Sequence, residues 1–133
     1  MEKEERDGYP AIDPAVNNIT RTIIGCAYTI SNSLGSGFLE KVYENALVCE
    51  LAKQGLKVKQ QQLVKIWYNG VVVGDYIADL IVEDSVLIEV KTVEHLGNTQ
   101  TAQCLNYLKA TGIRVGLLMN FEAPRVEIKR LVL

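Results

Sequence analysis

The sequence predicts an α/β domain in which helices cover a central mixed sheet containing three consecutive antiparallel strands. Three observations carry this expectation. Apolar residues recur at helical spacing as far as Gly55 and at a period of two after it. Asn69-Gly70 lies between two such alternating runs, the strongest short hairpin signal a sequence offers. Helical spacing then returns in "TQTAQCLNYLKATG", with strand patterns on both sides.

Each element has its own signals. In "DPAVNNITRTIIGCAYTISNSLG", Asp13 is placed to cap a helix with Pro14 at its first position, and Val16, Ile19, Ile23, Ala27, Ile30 and Leu34 form the stripe. Gly35, Ser36 and Gly37 break it. "FLEKVYENALVCELAKQG" keeps Leu39, Val42, Ala46, Leu47 and Leu51 apolar and stops at Gly55. "LVKIWYNGVVVGDYIADLIV" reads as the first hairpin, and "EDS" (Glu83, Asp84, Ser85) turns the chain into a third antiparallel strand. After the helix ending at Gly112, "IRVGLLMNF" is a strongly apolar strand and "VEIKRLVL" a shorter one.

With 133 residues, 48% of them apolar, the chain suits a single core. The expected organisation is a charged, disordered tail over residues 1–13 and one domain over 14–133. No apolar leader or membrane-spanning run is visible, so the expectation is a cytoplasmic protein with no membrane partner. Cys26, Cys49 and Cys104 show no C-x-x-C spacing, which points to neither a disulfide framework nor a zinc site. The net charge of −2 hides an uneven distribution, because five acids and two bases fall in residues 1–13. The remaining 12 basic and 11 acidic groups are nearly balanced. Lys109, Arg114, Arg125, Lys129 and Arg130 against Glu122 and Glu127 give the last quarter a basic bias.

The chemistry lies in "DYIADLIVEDSVLIEVKT". Side chains two apart share a sheet face, so Glu89 and Lys91 point the same way. A three-residue loop at 83–85 sets Val82 opposite Val86 and Asp79 opposite Glu89. Asp79, Glu89 and Lys91 are thus expected on one face. Tyr76, Ala78, Leu80, Val82, Val86, Ile88 and Val90 are expected on the other. Two adjacent carboxylates repel unless a proton or cation lies between them. A hard divalent cation such as Mg²⁺ suits them, since it binds through one or two carboxylates and keeps water. Lys91 then stands where it can hold or deprotonate a bound water, the arrangement metal-assisted phosphodiester hydrolysis requires. Acid-x-lysine alone is unspecific: Glu127-x-Lys129 is a second instance. The alternative for Asp79, Glu89 and Lys91 is an ordinary cross-strand ion pair.

Two helices add candidates. Glu40, Tyr43, Glu44 and Leu47 fall on one helical face, so a helix packed against the reactive strands can bring a further carboxylate. Gln103 and Tyr107 share a face one turn apart, and the amide can bond a water or phosphate. The plainer reading of Glu40, Glu44 and Gln103 is a solvated surface. His95, the single histidine, is read as a surface or capping group, and Trp67 and Tyr68 as hairpin packing.

The run Gly37-Phe38-Leu39-Glu40-Lys41-Val42-Tyr43 resembles the signature of the GxxExxY proteins. "YIADLIVED", "LIEVKTVEHL", "AQCLNYLKATG", "GLLMNF" and "IKRLVL" are similar to that family's remaining blocks, in order, over roughly residues 14–133. These small, mostly bacterial proteins are assigned to the PD-(D/E)XK nuclease superfamily, and the pattern also resembles its RecB-like branch. The resemblance implies a restriction-endonuclease-like core and a Mg²⁺- or Mn²⁺-dependent nuclease acting on DNA or RNA. Asp79 corresponds to the metal-binding acid, Glu89 and Lys91 to the E-x-K pair, Gln103 and Tyr107 to Q-x-x-x-Y, and Glu40 to the signature glutamate. Implied metal ligands are Asp79, Glu89, the Val90 carbonyl and Glu40, with Lys91 acting on water and Gln103 orienting water or phosphate. Glu44 is a second candidate for the helical carboxylate, and Tyr43 and Tyr107 are supporting residues. Ala78 stands where the superfamily usually has proline.

The second reading, from a different class, is a catalytically silent nucleic-acid-binding or protein-interaction module on the same fold. A homodimer joining two basic C-terminal segments into one groove is a third. Substrate type, strand preference, endo- or exonucleolytic action and biological process are not encoded legibly.

Overall fold

The computed structural model describes residues 10–133. Of the acidic tail expected over residues 1–13, residues 1–9 therefore lie outside the described residues. Helix α1 spans Pro14–Leu34, with the Asp13 side chain accepting from the Ala15 amide at 2.9 Å, and α2 spans Glu40–Lys53. Strands β1 (Val58–Tyr68), β2 (Val71–Val82) and β3 (Val86–Lys91) follow, then α3 (Asn98–Thr111), β4 (Val115–Asn120) and β5 (Glu127–Val132).

The five strands lie in sequence order in one sheet. β1–β2, β2–β3 and β4–β5 are antiparallel, whereas β3 and β4 are parallel, joined by the α3 crossover. The expected mixed sheet with three consecutive antiparallel strands is thus present. Asn69 and Gly70 both have positive φ (48° and 76°), the backbone a two-residue hairpin loop demands. Among the described residues no helix is long and apolar enough to cross a membrane.

Helices cover both faces of the sheet. On one side Ile23, Ala27 and Ile30 of α1 and Tyr43, Leu47 and Leu51 of α2 pack on Leu80, Val82, Val86, Ile88, Val90 and Met119. On the other, Cys104, Tyr107 and Leu108 of α3 pack on Val64, Ala78, Ile81 and Leu87. β3 and β4 are buried along almost their whole length, as strands covered on both faces must be.

Two findings differ from the sequence reading. β1 begins at Val58, five residues before the alternating pattern, because the polar run Lys59–Gln62 lies on an edge strand where pairing on one side suffices. The predicted single apolar face of β2 is broken at Asp79. Leu80 joins the α1/α2 side, but Ala78 joins the α3 side, and Tyr76 meets Tyr107 of α3. The partner strand breaks at the same level, where Gln61 adopts φ 53°. A left-handed residue inside a strand reverses the local alternation. Beyond this break β2, among the described residues, pairs only with β1, since the β2–β3 ladder ends at Leu80–Ile88.

Candidate active site

The break in β2 builds the site. One residue past the last ladder pair, the amide of Asp79 donates to Glu89 Oε2 at 2.9 Å. Asp79 Oδ2 accepts from the Val90 amide at 2.8 Å. Side chains have thus taken over main-chain groups that a continued ladder would have used. Glu89 is 4% exposed and Asp79 half-buried.

Burial is expensive for these charges. Desolvation, followed by the Asp79 charge, pushes the Glu89 carboxyl up to about 8. Desolvation also raises that of Asp79, with Glu44 and Glu40 adding repulsion and the Val90 amide and Lys91 opposing it. The Cys104 thiol and Tyr107 hydroxyl are each pushed up to about 12, first by burial and next by Glu89. The surroundings of Asp79 and Glu89 therefore resist negative charge and favour a counter-ion.

Glu89 and Lys91 follow Leu87 toward α3, and Lys91 Nζ reaches Gln103 Oε1 at 3.4 Å. Tyr107, one turn beyond Gln103, is buried beside them. The structure thus brings Asp79, Glu89, Lys91, Gln103 and Tyr107 together, at the mouth of the β2–β3 splay rather than on one flat face.

Helix α2 approaches the same mouth. Glu40 is exposed, and its Oε2 accepts from the Thr92 amide at 3.2 Å and the Thr92 hydroxyl at 3.4 Å, just past Lys91. Glu44, one turn on, is 3% exposed. Its Oε2 takes Lys41 Nζ at 2.9 Å and the Gln60 amide, and its Oε1 takes Gln61 Nε2 at 2.9 Å. Gln61 Nε2 also lies 3.4 Å from Asp79 Oδ1, joining the two carboxylates through one amide. Tyr43 is walled off from this mouth. Its ring stacks on Phe121 at 4.6 Å, and its hydroxyl donates to the Gly35 carbonyl at 2.6 Å and accepts from the Phe38 amide at 3.2 Å.

Sequence reasoning missed Gln60, Gln61 and Thr92. The three consecutive glutamines at 60–62 were the available signal, since neutral amides are suited to crowded carboxylates. Among the described residues no three acidic, histidine or cysteine side chains close into a metal cage. What converges is a pair of carboxylates, one buried and one half-buried, with raised proton affinity and further acids around them. That donor set fits a hard divalent cation that retains water.

A sequence profile described as the PD-(D/E)XK nuclease superfamily matches residues 17–131. The crystal structure of SSO0001 is similar in fold, with a TM-score of 0.56 and 18% sequence identity over 88% of this chain. The match spans 62% of that solved chain. No curated protein matches. The five-stranded mixed sheet flanked by helices is a restriction-endonuclease-like fold, and the chain belongs to the PD-(D/E)XK nuclease superfamily.

Proposed function

We propose that residues 14–133 form one Mg²⁺- or Mn²⁺-dependent nuclease domain that hydrolyses DNA or RNA phosphodiesters. The observation that carries this reading is the reciprocal lock between Asp79 and Glu89, which fixes a buried and a half-buried carboxylate side by side at an electrostatic cost. A purely structural pair would be more stable as neutral side chains.

Asp79 and Glu89 hold the cation, with the Val90 carbonyl beside them. Bound there, the metal supplies Lewis acidity toward a phosphoryl oxygen. Lys91, anchored lightly by Gln103, holds the attacking water by its oxygen and offsets charge developing on the phosphate. Gln103 orients water or phosphate. Of the helical acids, Glu44 is the better candidate to support the site, because it is buried and shares Gln61 with Asp79, whereas Glu40 is exposed and bound to Thr92.

Kinship to the GxxExxY proteins is part of the proposal. Each signature position has a task at the α1–α2 junction: Gly37 turns with φ 107°, Glu40 ties α2 to Thr92, and Tyr43 stacks on Phe121.

The test is incubation with supercoiled plasmid, single-stranded DNA and structured RNA in Mg²⁺ and then Mn²⁺, beside Lys91→Ala prepared identically. Cleavage by the wild type and its loss in the variant are expected. Equal cutting by both, or by neither, overturns the catalytic reading.

A further inference from the structure

The β1–β2 arm beyond the break at Asp79 is not needed to hold the carboxylates, yet it carries a distinct feature. A cleft of about 430 Å³ opens between the arm and α3, lined by Lys65, Ile66, Trp67, Tyr76, Asn106 and Lys109. That volume falls within the ~300–1,000 Å³ of small-ligand sites.

Its lining is unlike packing. Trp67 is 62% exposed and Tyr76 43% exposed, so neither residue is consumed by core packing. Among the described residues neither Lys65 nor Lys109 enters an ion pair. Asp75, the only acid in the arm, is the cross-strand partner of Lys65 in the ladder but makes no salt bridge with it. Aromatic faces beside unneutralised ammonium groups suit a ligand that is flat and apolar in one part and anionic in another.

Two touching rings link the cleft to the carboxylate site. Tyr76 meets Tyr107 edge to face, with centroids 5.1 Å apart at 64°. Tyr107 borders Glu89 and Asp79, whose charges help to raise its hydroxyl. Along α3 the step from Gln103 to Asn106 or Lys109 is about 5–9 Å at 1.5 Å per residue. Stacked nucleotides rise about 3.4 Å each, so the two places lie within one to three nucleotides of each other.

We propose that this cleft seats an unpaired base of a single-stranded nucleic acid beside the scissile phosphodiester. Trp67 and Tyr76 supply the stacking faces, and Lys65 and Lys109 hold the neighbouring phosphates. A duplex is excluded because its bases already stack on one another, whereas a single strand can offer a base to an aromatic ring. The proposal names the substrate class of the nuclease reading and rests on that reading for what happens to the strand, but binding itself needs no cleavage. Leu63, Val71, Val73 and Ile77, exposed elsewhere on the arm, raise a second copy of the chain as the competing occupant. Two lysines against one acid favour the polyanion.

Trp67 is the only tryptophan and so reports on its own site. The full chain in EDTA, where no metal-dependent cutting occurs, is titrated with oligo(dT), oligo(U) and a blunt duplex while its emission is followed. Quenching by either single strand, at least tenfold tighter than by duplex, is expected. Tyr76→Ala should weaken binding about fivefold to 150-fold. The Lys65→Ala/Lys109→Ala double variant, which keeps Trp67, should flatten the log–log salt dependence by about 1.4. No quenching, equal quenching by duplex, or an emission change that follows protein concentration without oligonucleotide overturns the proposal, the last by placing a second copy on the arm. A chain that cuts without any Trp67 response overturns the cleft alone. A chain that shows the single-strand response but never cuts overturns the nuclease reading and leaves the cleft.

Discussion

Asp79 and Glu89 hold each other in place: the Asp79 amide donates to Glu89 Oε2 at 2.9 Å, and one residue further the Val90 amide donates to Asp79 Oδ2 at 2.8 Å. The lock depends on hydrogen bonds that an amide oxygen can also accept, whereas the repulsion depends on charge. Asp79→Asn and Glu89→Gln should therefore keep the fold and relieve the repulsion. Thermal melts of the metal-free protein at pH 8 should show each variant stabilised by about 1 kcal/mol, roughly 3–5 °C. Both should lose the rise in Tm that Mg²⁺ gives the wild type, and cleavage should fall at least about 10²-fold. A variant that loses stability while keeping its metal response would reverse the assignment.

Proton linkage provides a second check. Glu89 rises from its ordinary 4.5 to about 8 on folding, with burial the main cause and Asp79 the next. The folded chain thus holds a proton that the unfolded chain releases between those values. This contribution to stability is fully present below about 4.5 and is lost as pH rises through about 8. Metal binding must expel the proton. Calorimetry of Mg²⁺ binding in buffers of different ionisation enthalpy should detect about one proton released at pH 7 and far less at pH 9. Equal release at both values would place the proton elsewhere.

The legible parts of the sequence were those with local causes. Asp13-Pro14, Asn69-Gly70 and the switch in period after Gly55 are short-range signals, and the corresponding elements are present. The pairing register around residues 83–85 followed from loop length alone. The strand break was illegible, because neither Gln61 nor Asp79 is a residue type that announces one. Face assignment from strict alternation therefore failed for Tyr76 and Ala78. The choice between Glu40 and Glu44 was equally closed to sequence. Both lie on one helical face, and only the polar edge of β1, with Gln60 and Gln61, shows which carboxylate is enclosed.

Lys91 is bound more loosely than the carboxylates, by one 3.4 Å contact with Gln103. Its removal should leave stability within about 0.5 kcal/mol. Single-turnover cleavage by Lys91→Ala should be slower by about 10²–10³-fold, with Mn²⁺ binding retained when followed by calorimetry. Loss of the metal together with the rate would make Lys91 a support for the carboxylates instead of a group acting on water.

Glu44 and Glu40 separate by burial. Glu44→Gln retains side-chain volume but brings an amide against the Lys41, Gln60 and Gln61 donors, so both stability and metal affinity should drop, stability by about 1–3 kcal/mol. Glu40→Gln should change stability by about 0.5 kcal/mol or less, as exposed substitutions do. Denaturant melts and Mg²⁺ titrations on the two variants decide the matter. A larger loss of metal affinity from Glu40→Gln would move the helical carboxylate one turn back.

Tyr43 tests whether the G-x-x-E-x-x-Y run works through structure. Its ring is fully buried against Phe121, and its hydroxyl bridges the Gly35 carbonyl and the Phe38 amide, closing the turn between α1 and α2. Tyr43→Phe preserves the stack and deletes only the bridge, so unfolding free energy should fall by about 1–2 kcal/mol. Because the hydroxyl is committed to main-chain groups at this turn and makes no hydrogen bond to Asp79 or Glu89, Mg²⁺ affinity measured well below the melting temperature should be unchanged. A variant of normal stability with weakened metal binding would instead put the Tyr43 hydroxyl at the metal. Reduced stability with intact binding fixes it as the brace that sets the angle at which α2 presents Glu40 and Glu44.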